Sequence, residues 1–323
     1  MKKTVSETKN AAKNSAPPRK RIRAGHILLL ILASALAVLI VSAIISIIGN
    51  RNVTVANYTV ASEKLESSLR IVLVSDLHRE EFGKDNQGLV DLIAAQEPDL
   101  IVLDGDMIEG NYTDEEGEAY RYLIERLMET AQVYFTMGNH DNRIYSGSVE
   151  LAGSECVGIN GRSALLDSLE STGGVFLESD YRDVNINGDR LRIGGFYSFA
   201  WRYQYDTDES WAKREAFLSD YCDTDDFKLM LSHRPNSFIY GDAGSTWDVD
   251  LVLSGHTHNG LISTPITHRA IWTSEGFFPD YTYGEFDLGR IKLIVSSGLA
   301  GWRFLPRVFN PPEIAVIDLV PGD

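Results

Sequence analysis

Apolar residues fall along this chain in short runs between polar stretches, and one run is far longer than the rest. From Ile27 to Ile48 every residue is Ile, Leu, Val, Ala or Ser, 22 positions without a charge. At about 1.5 Å per residue such a helix crosses about 30 Å of hydrocarbon. It exceeds the roughly 7 to 15 apolar residues of a signal peptide, and no clear small-residue cleavage site follows, so an uncleaved transmembrane helix is predicted. Beyond it, the alternation of Val53, Val55, Tyr58 and Val60 suggests one edge strand within a connector.

Later apolar runs are of strand length: 70–75, 99–103, 133–137, 191–196, 228–232, 250–254, 291–296 and 314–319. Amphipathic stretches at 86–96, 118–130, 163–171 and 210–221 predict helices. Strands alternate with helices early, and the last third is strand and turn. That order predicts a layered α/β domain with mixed sheets. The expected division is a basic disordered tail (1–25), a transmembrane helix (26–49), a connector (50–68) and one domain (69–323).

Charge changes the picture. Residues 1–23 hold eight basic side chains against one acid, so the remaining 300 residues carry −23 of a chain whose total is −16. The positive-inside rule then puts the tail in the cytoplasm and the domain outside. A body this acidic repels polyanions, so nucleic acid is not an expected partner, and any phosphate must be captured by local positive charge. Cys156 and Cys222 lack C-x-x-C spacing and read first as two unpaired, partly buried thiols, with one disulfide between them as the alternative.

Five predicted strands are followed at once by polar clusters: Asp76-Leu77-His78, Asp104-Gly105-Asp106, Gly138-Asn139-His140-Asp141, His233, and Gly255-His256-Thr257-His258. Loops at the carboxyl ends of strands converge, so five clusters there predict one site. Residues i and i+2 on extended chain point the same way, so Asp76 with His78, and His256 with His258, are each expected to offer two ligands in one direction. Gly105, Gly138 and Gly255 stand where backbone approaches closely or turns to positive φ. Nitrogen and oxygen donors without sulfur suit zinc, manganese or iron. Alone, each cluster reads as a turn or a satisfied structural histidine. Together they hold five of the seven histidines. Arg79, Arg143 and Arg303 lie near these segments and read as solvent-facing, with phosphate clamping as the sharper alternative.

The ordered set D-L-H, G-D, G-N-H-D, a single His and G-H-T-H closely resembles the calcineurin-like metallophosphoesterase superfamily, over about residues 70–319. Ser297-Gly298-Leu299, Pro306-Arg307 and Asn310-Pro311-Pro312-Glu313-Ile314 further resemble its membrane-associated bacterial branch. Asn259-Gly260-Leu261 departs from that branch's G-G-Q. The resemblance implies a two-sheet sandwich with helices outside and two divalent metal ions (Mn, Zn or Fe). One metal would be held by Asp76, His78, Asp106 and His258, the other by Asp106, Asn139, His233 and His256, with Asp106 bridging. His140 would act on the scissile phosphate or leaving group.

Two such cations outweigh two carboxylates and would attract a phosphate mono- or diester despite the acidic body. A metal-bridging hydroxide is the expected nucleophile, with His140 as proton donor to the leaving group. The rival reading is a non-catalytic, metal-containing envelope binding protein. The extra His140 and the amide ligand Asn139 favour an open catalytic centre over a closed structural one. The anchor suggests a membrane- or wall-linked substrate. Trp272, Phe277, Phe278, Tyr281, Tyr283, Trp302, Phe304 and Phe309 read first as core and loop packing, and second as a surface flanking the site.

Overall fold

The computed structural model describes residues 24–49, 52–141, 149–152, 155–159, 163–301 and 305–322, with 149–152 and 155–159 as backbone only. Helix α1 (Ala24–Gly49) is the one helix among them long and apolar enough to cross a membrane, with mean hydropathy 3.0. It is followed by a separate compact unit.

In chain order the strands of that unit are β1 (Thr54–Ser62), β2 (Leu69–Val74), β3 (Leu100–Asp104), β4 (Gln132–Thr136), β5 (Val149–Ala152), β6 (Glu155–Ile159), β7 (Val175–Phe176), β8 (Asp180–Ile186), β9 (Asp189–Gly195), β10 (Phe227–Leu231), β11 (Leu251–Ser254), β12 (Trp272–Thr273), β13 (Gly276–Phe277), β14 (Gly284–Asp287), β15 (Lys292–Val295) and β16 (Glu313–Pro321). Among the described residues they form two six-stranded sheets, ordered β1-β16-β2-β3-β4-β7 and β14-β15-β11-β10-β9-β8, and two hairpins. Both sheets are mixed: β2, β3, β4 and β7 run parallel with β16 against them, and β15, β11, β10 and β9 run parallel with β14 and β8 against them.

The layering follows from alternation along each strand. Ile71 and Leu73 of β2, and Leu100 and Val102 of β3, meet Leu229, Leu231, Leu251 and Leu253 of the second sheet in one core. Their neighbours Val72, Val74, Ile101 and Leu103 face the other way, against α2 (Gln87–Ala94), α3 (Asp114–Met128) and α4 (Ala164–Glu170). Met230 and Val252 likewise turn to a third core with Leu218 and Tyr221 of α5 (Asp208–Cys222). Strands buried on both faces carry unbroken apolar runs, which is why they were legible as strands. The result is helix, sheet, sheet, helix: the two-sheet sandwich with helices outside.

Local signals set the helix starts. Thr113 accepts from the amide of Glu116, and Glu116 accepts back from the Thr113 amide, a capping box that opens α3. Ser163 and Thr207 cap α4 and α5 by their side-chain oxygens alone, which accept from the amides of Leu166 and Ser210. The stretch read as a connector contains β1, paired in parallel with β16 along all nine of its residues. Cys222 is a free, half-buried thiol, whereas the side chain of Cys156 lies outside the described residues.

Candidate metal centre

The carboxyl ends of β2, β3, β4, β10 and β11 lead directly into the residues that the sequence singles out. They converge in three groups whose ligand atoms lie within 4.8 Å of one another: Asp76, His78 and His258; Asp106, His233 and His256; and His78, Glu109 and His140. Asp106 stands between the first two. Its Oδ2 is 3.1 Å from Nε2 of His233 and 3.9 Å from Nε2 of His78. Asp76 Oδ1 is 3.4 Å from Nε2 of His258 and 3.9 Å from Nε2 of His233. Asn139 Oδ1 is buried and has no hydrogen-bond partner among the described residues.

The turn geometry corrects the expectation of extended i, i+2 pairs. Asp76 and His78 have φ of 55° and 51°, and His256 and His258 have 68° and 47°. Each pair therefore sits in left-handed backbone, which bulky residues adopt only where the surroundings enforce it. Asp76 and His78 still join one ligand group, with His258, whereas His256 and His258 do not aim together: His256 joins Asp106 and His233 instead. The glycines behave as expected. A Cβ on Gly138 would stand 2.2 Å from Asp106 Oδ1, and one on Gly255 2.5 Å from Asp76 Oδ2.

Backbone groups orient the ligands. Nδ1 of His233 lies 2.7 Å from the Asp104 carbonyl and Nδ1 of His258 lies 3.0 Å from that of Ala300. A carbonyl only accepts, so each Nδ1 donates and each Nε2 is turned into the site. Asp104 thus contributes its carbonyl, and its carboxylate belongs to none of the ligand groups. Asp76 accepts from Ser75 Oγ and from the amide of His256, and Asp106 Oδ1 accepts from the amide of His140 at 2.7 Å.

Electrostatics fit a cation. Burial works against the charge of His233, yet Asp106 and then Asp76 push its ring up to about 10. Burial holds His256 and His258 down, to about 3 and about 4, so their lone pairs stay free. Burial also opposes the charge on Asp106, but His233 and His78 hold it ionised below the usual carboxylate range. Buried carboxylates beside imidazoles, those of His256 and His258 held neutral, with the orphaned amide oxygen of Asn139, are the donor set of hard to borderline divalent metals.

Glu109 was not singled out in the sequence. Its Oε2 is 2.9 Å from Nδ1 of His140 and its Oε1 is 3.1 Å from Nδ1 of His78. The rings of His78 and His140 meet edge to face at 4.9 Å. Its signal was a carboxylate three residues after Asp106, too common a spacing to stand out alone. Arg79 pairs with Glu116 and with Asn111, on the helix side of this region. Arg143 and Arg303 lie outside the described residues.

The later motifs also acquire roles. Buried Arg307 donates from Nε to the Ala300 carbonyl, the same oxygen that orients His258. Asn310 donates from Nδ2 to the His258 carbonyl at 2.7 Å, and Glu313 accepts from the amide of Ser297. Asn259, where the G-G-Q departure begins, is buried and ties the loop down through the His268 carbonyl. Of the aromatic stretch read first as packing, Tyr281 does pack against the third core, but Trp272, Phe277 and Phe278 are exposed.

Comparison with known proteins follows the same segment. The family model of calcineurin-like phosphoesterases matches residues 69–260. An uncharacterized metallophosphoesterase of Campylobacter jejuni is 29% identical over 299 residues, 91% of this chain and 71% of its own. A transmembrane protein with a metallophosphoesterase domain from Danio rerio is 26% identical over 296 residues, 87% of this chain and 61% of its own. A solved structure from Thermus thermophilus superposes with a TM-score of 0.45 at 12% identity, covering 72% of this chain and 91% of its own. The family match runs from β2 through His258 and so takes in every ligand named above, and on that extent the chain belongs to the calcineurin-like phosphoesterase family.

Proposed function

We propose that the protein is a membrane-anchored, dinuclear-metal phosphoesterase that hydrolyses a phosphate mono- or diester. The observation that carries this reading is the position of Asp106, whose Oδ2 lies between His233 and His78, histidines of two different ligand groups. A carboxylate so placed is suited to bridge two ions. Asp76, His78, Asp106 and His258 would hold one metal, and Asp106, Asn139, His233 and His256 the other. When bound, the pair would supply Lewis acidity and an activated water for attack on phosphorus.

His140 works from beside this set. Burial opposes its charge, but Asp106 and the hydrogen bond to Glu109 raise its pKa above the ordinary histidine range. That favours the protonated ring, the form able to donate to the departing oxygen. Glu109, itself held below the usual range by His140 despite its burial, fixes the ring.

The address is part of the proposal. Residues 1–25 are the cytoplasmic tail and 26–49 a single membrane pass; of the expected connector, 50–68, β1 joins the first sheet, so the extracytoplasmic catalytic domain, expected at 69–323, takes in β1 as well. The apolar length of α1 and the tail's excess of basic residues support this division. The membrane-associated bacterial branch is the assignment that agrees with it.

The test is hydrolysis of paired nitrophenyl mono- and diesters by the full chain in detergent, stripped of metal and resupplied with manganese, zinc or iron. Metal-dependent turnover that disappears in His140→Ala supports the proposal. A protein that binds two metals and turns over neither ester overturns it in favour of a binding protein.

A further inference from the structure

Six large apolar side chains stand out of the loops that follow the last ligand: Ile262 at 38% exposure, Ile266 at 86%, Trp272 at 57%, Phe277 at 76%, Phe278 at 52% and Leu305 at 45%. All but Leu305 belong to one loop layer connected through the backbone. Ile262 bridges Val308 in parallel and accepts from the amide of Ile271, which in turn accepts from Phe278. Trp272 and Phe277 are directly paired across the β12–β13 hairpin, so both stand on one of its faces. Ile266 follows Pro265 in a turn closed by Thr264 and Arg269. Scattered apolar residues on a surface are ordinary, but a connected group of this size marks a binding surface.

Chain length limits what can cover it. β1 begins at Thr54 opposite Glu313, and β16 runs antiparallel to β2 with Ala315 opposite Leu73. The start of β1 therefore lies two strands from Ser75, about 10 Å across the sheet, at the end of the sandwich that carries the metal site. Only four residues separate Gly49, the end of α1, from Thr54. Fully extended, that connection reaches about 18 Å at most. This limit follows from chain length alone. It brings the site end of the domain, and the loop layer that continues from His258, within reach of any bilayer that holds α1.

We infer that the 262–278 loop layer with Leu305 docks into the interface of the bilayer that holds α1, seating the metal centre at the level of lipid headgroups. The inference rests on the anchoring proposed above and not on the catalytic reading. A docked centre meets phosphate esters of amphiphiles whose hydrocarbon remains in the membrane, which defines the substrate class. Contact is apolar in origin: the body carries −23, and Arg269 is already engaged by Asp280. Anionic lipid should therefore add nothing to it.

The test uses the full chain in phosphatidylcholine liposomes, in a Cys156→Ser, Cys222→Ser background. An environment-sensitive fluorophore is placed at Ile266→Cys or, as a reference, at Arg190→Cys, which is exposed at the opposite end of β9. The inference predicts a blue-shifted Ile266 probe quenched by spin-labelled phospholipid, an Arg190 probe that is neither, and no strengthening of docking when anionic lipid is added. Trp272→Ala and Phe277→Ala should each lower the ratio of docked to undocked protein about tenfold. Equal quenching of both probes by an aqueous quencher overturns the inference. So does an Ile266 probe shielded from water yet untouched by lipid quencher, which would place a second copy on the surface. Failure of the chain to float with liposomes removes the anchor itself, and with it this docking, while leaving hydrolysis in detergent unaffected.

Discussion

The carboxylate of Glu109 closes to 2.9 Å on Nδ1 of His140. Its second oxygen stands 3.1 Å from Nδ1 of His78, so one side chain lies against both a proposed metal ligand and the proposed proton donor. An anion beside an imidazole favours the protonated ring, so the pair keeps His140 charged to higher pH than an ordinary histidine. Replacing Glu109 by Gln removes the charge and keeps the shape. The His140 pKa should then fall, and the alkaline limb of the kcat profile should move to lower pH, with kcat reduced about 10- to 100-fold. A pH–rate series on Glu109→Gln checks this, and an unmoved alkaline limb would remove Glu109 from the mechanism.

His140→Ala separates chemistry from metal binding. His140 belongs to neither proposed ligand set, so elemental analysis should find unchanged metal content. The rate should fall about 10²- to 10⁴-fold, the usual worth of a positioned acid. Loss of metal along with the rate would instead make His140 a ligand.

Gly138→Ala probes the approach of backbone to ligand. The added Cβ would meet Asp106 Oδ1 at 2.2 Å, and Asp106 cannot retreat without leaving His233. Metal affinity should drop about 10- to 100-fold in a calorimetric titration, by displacement of a ligand whose chemistry is intact. Unaltered affinity would mean that the bridging carboxylate is not held where the structure puts it.

Stability has its own buried pair at the edge of α5. Asp206 and Arg214 are ion-paired with side chains 3% and 5% exposed, and Arg214 also donates to Ser198. Arg214→Met strands a buried carboxylate and should cost about 3–5 kcal/mol in chemical denaturation. Adding Asp206→Leu should restore most of that loss, because the penalty is the unpaired charge. A single variant as stable as the parent would contradict the burial of this pair.

What was legible in the sequence divides by physical cause. The central strands were, because burial on both faces leaves unbroken apolar runs such as Ile101-Val102-Leu103. β8 was not: as an edge strand with mostly exposed residues, its Asp180–Ile186 segment reads as polar chain. The ligand set was legible because strand-end clusters converge in any open α/β sheet. Its geometry was not, since the left-handed turns at Asp76 and His256 are imposed by packing partners distant in sequence, Gly105 and Asp76 respectively. Glu109 escaped notice because its meaning lies in proximity to His140, 31 residues away. The exposure of Trp272 and Phe277 is likewise a property of the folded surface, since aromatic composition alone favours the interior.

A pair of metals sharing Asp106 fixes the metal content per chain, which elemental analysis reads. Full-length protein loaded with manganese, zinc or iron and freed of excess should carry two ions per chain, and Asp106→Ala should carry none. Two ions retained in Asp106→Ala would contradict the shared carboxylate and the dinuclear centre built on it.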